Sequence, residues 1–263
     1  MLVNLNDVLV PARKGKYAVG LFNTVNLELA RGVMEAAEEL DSPVIIGTAE
    51  VLLPYGPLRD LANLLIPMAE RASVPVVVHL DHGLKEETCR LALELGFSSI
   101  MYDCSTMDYG DNMEHVKRMA ETAHSFGASI EAELGHVGIM KEEALKEAAL
   151  GLNRRSFTRI RSRRGTSLTG PGQMLWPLHV GTAHGAYKLP PKLDFDRISE
   201  IAETISTPLV LHGGSGLSDS DFRTAVERGI SKVNIFYRYQ PGRGQAAGSR
   251  IQGRNRTYGY DTA

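Results

Sequence analysis

The sequence predicts an α/β fold of the parallel (βα)8 type, a TIM barrel. Short apolar runs alternate with stretches of helical periodicity, the pattern of a parallel sheet joined by helices. With a run placed just before Gly181, the apolar runs number eight, the count that closes such a barrel. Three histidines and a glutamate also stand where an apolar run meets a glycine or a turn. They are His82 in VVVHLDHG, Glu133 in SIEAELGHVG, His184 in VGTAHGAYK and His212 in PLVLHGGSG. In a barrel every strand opens at its C-terminal end on one face, and that face carries the site. A doubly wound open sheet would call for an early glycine-rich phosphate loop, which is missing here.

The elements run in order along the chain. Residues 17–22 form a short apolar run, and 27–40 have helical periodicity. A strand over 43–47 and a helix over 58–71 come next. Residues 76–80 are nearly all apolar, as a strand buried on both faces should be. Residues 85–95 are amphipathic, 98–102 a strand, 111–126 a helix and 129–134 a strand. The second half gives a helix over 195–204, a strand over 208–212, a helix over 218–228 and a strand over 232–236. One barrel domain over residues 1–263 accounts for all of these.

Two segments break the alternation. Residues 154–180 read RRSFTRIRSRRGTSLTGPGQMLWPLHV, with six arginines between Arg154 and Arg164. No helical period runs through them, and Pro177 lies where a central strand should be, which such a strand tolerates badly. Residues 237–263 are rich in glycine and arginine and poor in aliphatics, a composition that cannot bury an apolar face. The sixth-strand region and the C-terminal helix are therefore expected to be irregular or lost, and the tail disordered. The chain as written is expected to be poorly stable and nearly inactive.

Bulk properties exclude several classes. A net charge of −2 argues against nucleic acid or a membrane surface as the main partner. Two cysteines, Cys89 and Cys104, do not make a disulfide framework, so a reducing compartment is expected. No apolar run reaches membrane-spanning length. The first residues, MLVNLNDVLVPARKGK, lack the basic start and apolar core of a signal peptide. The cytoplasm is the expected location.

Imidazoles and a carboxylate converging on one face are ligands of the kind Zn²⁺ takes. Asp81, beside His82, becomes a candidate acid/base. Glu131 shares the side-chain parity of Glu133, but Glu133 is nearer the rim and is preferred. Asp103 ends another run and is either a ligand or a cap for the next loop or helix. His79 is assigned to the barrel interior. The HGGSG stretch, from Gly213 and Gly214 through Ser215, can cradle a phosphate with backbone N–H groups ahead of a helix. Gly185 and Lys188 add a flexible backbone and a cation.

Taken together, YAVGLFNTVN, VVVHLDHG, SIMYDCST, EAELGHVG, VGTAHGAYKLPPKLDFDR, PLVLHGGSGL and GISKVNI, in this order, resemble the class II, zinc-dependent ketose-bisphosphate aldolases. The resemblance covers residues 1–140 and 181–236. It implies reversible cleavage of a fructose or tagatose 1,6-bisphosphate to dihydroxyacetone phosphate and an aldehyde phosphate. It implies Zn²⁺ on His82, His184 and His212, with Glu133 and Asp103 serving alternative metal placements, a second divalent ion or a monovalent cation. It casts Asp81 as the acid/base for the C4 hydroxyl. Gly185, Lys188, Gly213, Gly214 and Ser215 would hold the dihydroxyacetone-side phosphate, Asn234 the dihydroxyacetone portion, and Asn23 another polar part of the substrate. A homodimer or homotetramer is implied as well.

The departures are specific. The family has a helix and an apolar strand where residues 159–180 stand, and Thr-Asp where this chain has Tyr237 and Arg238. The loop after Glu133 normally supplies a further acid, for which Glu142 and Glu143 are stand-ins. A shifted reading frame explains both anomalies. Codons for 159–164, read from the third base of the Arg159 codon, can spell Asp-Pro-Glu-Gln-Ala. The same offset over 172–179 can spell Ala-Asp-Ala-Leu-Ala-Val-Ala, an apolar strand. From the second base of the Tyr237 codon, Thr-Asp-Ile-Asn-Arg-Ala-Ala is available. The competing expectation is a non-catalytic, damaged barrel.

Overall fold

The structure, a computed structural model, describes residues 1–133, 174–177, 193–214 and 217–235. The strands are β1 (Val19–Asn23), β2 (Val44–Ala49), β3 (Val76–Gly83), β4 (Ser99–Tyr102), β5 (Ser129–Ala132), β6 (Met174–Pro177), β7 (Leu209–Leu211) and β8 (Ile230–Ile235). All their pairings are parallel, each strand pairs with its neighbour in sequence, and β1 returns to β8. Helices α2 (Leu27–Glu39), α3 (Leu58–Arg71), α4 (Glu86–Glu94) and α5 (Tyr109–Ser125) separate β1 to β5, and α6 (Phe195–Thr204) and α7 (Asp219–Glu227) separate β6 to β8. The fold is thus an α/β structure around a curled parallel sheet.

The β2 and β3 sequences VIIGTA and VVVHLD are buried along their length, because one face meets helices and the other lines the sheet's interior. Parity separates the two faces. Val44, Ile46, Val76, Val78, Leu80, Ile100 and Ile130 join the core shared with α2 to α5. Leu21, Ile45, Val77 and Val210 face inward and pack on Leu5, Val8, Leu9 and Ala12 of α1 (Leu5–Gly15).

Helix α1 is not part of the expected alternation. It precedes the first strand and carries Pro11, which masked it in the sequence. Its signals were present: apolar residues at spacings of three and four, and Asn4 with Asp7 three residues on. These two form a reciprocal capping box, which satisfies N–H groups of the first turn. Arg13, in its last turn, donates to the carbonyls of Ala202 at 2.6 Å, Ile205 at 2.5 Å and Thr207. That guanidinium anchors α1 to the end of α6 and closes the bottom of the interior.

One expectation is corrected. Residues 174–177 are a strand, not an irregular stretch: Ile130 pairs with Met174, Glu131 with Leu175, Trp176 with Leu209 and Pro177 with Val210. Proline lacks an N–H, but at the last position of a four-residue strand it withholds at most one ladder bond. The strand also starts earlier than the predicted run before Gly181. Residues 154–173, 178–180 and 237–263 lie outside the described residues, as do His184, Gly185, Lys188 and Ser215.

Candidate metal centre

The inward parity places a layer of polar side chains above the apolar plug. On β3, Val77, His79 and Asp81 succeed one another at a spacing of two, as do Glu131 and Glu133 at β5 and Lys232 and Asn234 on β8. His82 breaks this rule. By parity with Leu80 it belongs to the helix side. Its φ of 45°, at a register shift between Leu80 and Gly83, turns it over the mouth of the sheet instead. A non-glycine residue there is strained by about 1–3 kcal/mol.

His82 and His212 meet edge to face, with ring centroids 4.8 Å apart. His82 Nε2 lies 3.0 Å from His212 Nδ1. The outer nitrogen of each ring is bound to a carboxylate: His82 Nδ1 donates to Asp103 Oδ2 at 2.9 Å, and His212 Nε2 to Glu131 Oε1 at 2.7 Å. The four groups form a continuous chain, Glu131–His212–His82–Asp103. Hydrogen bonding fixes both tautomers and aims the remaining nitrogens at one point, the arrangement in which imidazoles serve as metal ligands.

The electrostatics agree with this reading. Burial alone would lower the His82 pKa, but the Asp81 charge and the Asp103 hydrogen bond overcome it and raise it to about 9. Burial lowers that of His212, against the pull of Glu131, so His212 is the neutral partner and accepts His82's proton. Burial would raise the Asp81 pKa, but the surrounding His82, His212 and Lys232 bring it down to about 2.

Asp81 is held from both sides. Asn23 Nδ2 donates to Oδ2 at 2.9 Å and Asn234 Nδ2 to Oδ1 at 3.0 Å. The amide oxygens of these asparagines are buried and have no hydrogen-bond partner among the described residues. Glu133 is buried and groups with His82 and Asp103, their ligand atoms within 4.8 Å of one another; Asp81, His82 and His212 form a second such group. Asn112 donates to the carbonyls of Cys104 at 2.9 Å and Glu133 at 3.1 Å, which ties these two strand ends together.

The predicted residues Asp81, His82, Asp103, Glu133, His212, Asn23 and Asn234 therefore converge. Gly213 succeeds His212 with φ of 67°, a conformation suited to glycine. Gly214 is closely packed: an added Cβ would sit 3.0 Å from Val233 Cγ1, and its N–H points to Asn234 O at 3.3 Å. Helix α7 is capped by its own Ser218 and Asp221.

Sequence reasoning missed Lys232 and undervalued Glu131. Both are fully buried, and Lys232 Nζ lies 2.6 Å from Glu131 Oε2. The signal was a lysine inside the apolar run ISKVNI, at the parity of Asn234. His79 is interior as expected; it meets Ser99 Oγ at 2.8 Å, and burial together with Lys232 lowers its pKa to about 3.

Comparison with known proteins matches this architecture. The family described as "Fructose-bisphosphate aldolase class-II" matches residues 3–257. The chain belongs to the class II fructose-bisphosphate aldolase family. It is 36% identical over 237 residues to a fructose-bisphosphate aldolase of Geobacillus stearothermophilus, covering 89% of this chain and 80% of the relative. It is 35% identical to a probable fructose-bisphosphate aldolase of Bacillus subtilis, covering 89% and 81%. Among solved structures, the YdjI aldolase of Escherichia coli K12 superposes with a TM-score of 0.72 at 31% identity, covering 90% of this chain and 81% of that one. The family is one of lyases, and the chain is an enzyme of that kind.

Proposed function

We propose that the chain catalyses reversible, zinc-dependent aldol cleavage of a ketose 1,6-bisphosphate to dihydroxyacetone phosphate and an aldehyde phosphate. The observation that carries this reading is the chain Glu131–His212–His82–Asp103 beside an amide-clamped Asp81. Two neutralisable imidazoles with fixed tautomers and neighbouring carboxylates fit Zn²⁺. His82 and His212 would hold it, with His184 as third ligand and Glu133 or Asp103 completing the set or holding a second cation. When bound, the metal supplies a Lewis acid that stabilises negative charge developing on the ketose carbonyl oxygen.

The protein's own groups do the rest. Asp81, ionised and adjacent to the centre, takes the C4 hydroxyl proton and returns it in the synthetic direction. The amide oxygens of Asn23 and Asn234 accept hydrogen bonds from substrate hydroxyls, which answers their lack of partners among the described residues. Gly185, Lys188, Gly213, Gly214 and Ser215 form the phosphate end in this reading. It also takes the chain as a single (βα)8 barrel domain, with its C-terminal helix irregular or lost, in the cytoplasm. No described helix is long and apolar enough to cross a membrane. A homodimer or homotetramer would cover Val51, Tyr55 and Leu84, exposed apolar residues on strand-end loops that Glu50 joins through the Leu84 and Lys85 amides.

The test is kinetic. Cleavage of fructose and tagatose 1,6-bisphosphates is measured before and after a chelator, and again with Zn²⁺ restored. The measurement is made on this chain and on a version with the family's reading frame restored at both departing segments. Loss with the chelator and recovery with Zn²⁺ is expected. Turnover indifferent to the chelator would refute the metal-dependent reading, and equal inactivity of both versions toward both sugars would refute the substrate.

A further inference from the structure

The interior of the sheet holds a complete ion pair beneath the metal centre. Lys232 and Glu131 are both fully buried, and their charged atoms are 2.6 Å apart. Such a pair gives up the hydration of two ions, and replacing it with apolar residues is often neutral or stabilising. Its presence therefore calls for a role other than stability. Glu131 divides its two oxygens: Oε2 takes Lys232, and Oε1 takes the Nε2–H of His212. His79 Nε2 stands 4.0 Å from Oε2 and has no hydrogen-bond partner among the described residues, so it does not compete for the carboxylate.

We propose that Lys232 and Glu131 are positioning residues for the metal centre, fixing His212 with its proton on Nε2 so that Nδ1 is the atom presented to the metal. The inference rests on the metal-dependent reading given above. Lys232 pins the carboxylate by one oxygen, which leaves the other as a fixed acceptor. Without that acceptor, His212 can carry its proton on Nδ1, the nitrogen facing His82, and the ligand position is blocked. A buried lysine also offsets the negative charge that Asp81, Asp103, Glu131 and Glu133 gather around a site not yet holding its cation.

Three measurements test this. In the metal-free protein, ¹⁵N-histidine NMR should report His212 as the Nε2–H tautomer; an Nδ1–H tautomer would overturn the proposal. The double variant Glu131→Leu/Lys232→Met removes both charges together and avoids stranding either one. Its thermal unfolding should match or exceed the parent's, while its zinc affinity, read by competition with a chromophoric chelator, falls roughly 10- to 100-fold. A double variant that folds as well and binds zinc within threefold of the parent would show the pair to be merely structural. If the double variant does not fold, Glu131→Gln decides. It keeps the side chain's volume, and affinity unchanged from the parent's counts against the proposal. A parent chain that takes up no zinc would instead refute the metal-dependent reading itself.

Discussion

A metal entering between His82 and His212 must displace a proton, and this fixes how its affinity varies with pH. The gap of 3.0 Å between His82 Nε2 and His212 Nδ1 is a hydrogen bond and needs one proton. His82 carries it, since its pKa is raised to about 9 and that of His212 is lowered. Near pH 7 the site lies about two units below the His82 value. Each unit is worth about 1.4 kcal/mol, so displacing the proton weakens zinc binding by roughly 100-fold, about 3 kcal/mol, relative to the alkaline limit. Chelator competition at pH 7, 8 and 9.5 should show affinity rising close to tenfold per unit and flattening above about 9. Calorimetry in buffers of different ionisation enthalpy should find about one proton released per zinc near pH 7. Stability of the metal-free protein changes with the same proton. A folded pKa above the unfolded one stabilises the metal-free protein fully below about 6.5, and this contribution is lost as pH rises through about 9. Metal-free unfolding temperature should therefore fall across that window, while zinc-loaded protein lacks this loss. Affinity independent of pH with no proton release would refute the assignment of the shared proton.

Other substitutions test separate parts of the structure. In the version with the reading frame restored, Asp81→Ala should lower turnover roughly 10²- to 10⁴-fold in steady-state kinetics, with zinc content retained. Gly47→Ala places a Cβ 1.9 Å from the carbonyl oxygen of His79 on the paired strand, so the β2–β3 register cannot persist. A loss above about 4 kcal/mol is expected in denaturant unfolding. Leu9→Ala empties part of the fully buried α1 plug and should cost about 2–5 kcal/mol in the same assay. The β6 seam has two paired positions on each side against six between β2 and β3. Amides of residues 130–131 and 209–211 should therefore exchange hydrogen faster than those of 76–80, as local opening is easiest where contacts are fewest.

The order of strands and helices was legible because burial on both faces leaves continuous apolar runs such as VVVHL, and helices facing a sheet keep a periodicity near 3.6. The helices over 58–71 and 195–204 keep that pattern to their ends. Asp81, His82, Asp103, Glu133 and His212 were legible as candidates because they stand at strand ends, whereas Asn23 and Asn234 came only from the family resemblance. A parallel sheet that returns on itself brings those ends to one face whatever the sequence distance between them. Alternation could not give the direction of His82, which depends on a positive φ at a register shift. Nor could it give the partition of the two glutamates. Parity puts Glu131 and Glu133 on one face, and only the depth of each in the sheet sends Glu131 to Lys232 and His212 and leaves Glu133 with His82 and Asp103. Sequence by itself determined which groups line the interior, because side-chain parity is local. Tertiary structure decided which nitrogen faces which oxygen, because those distances depend on strand register across the sheet, set by packing between residues as far apart as Asp81 and Asn234.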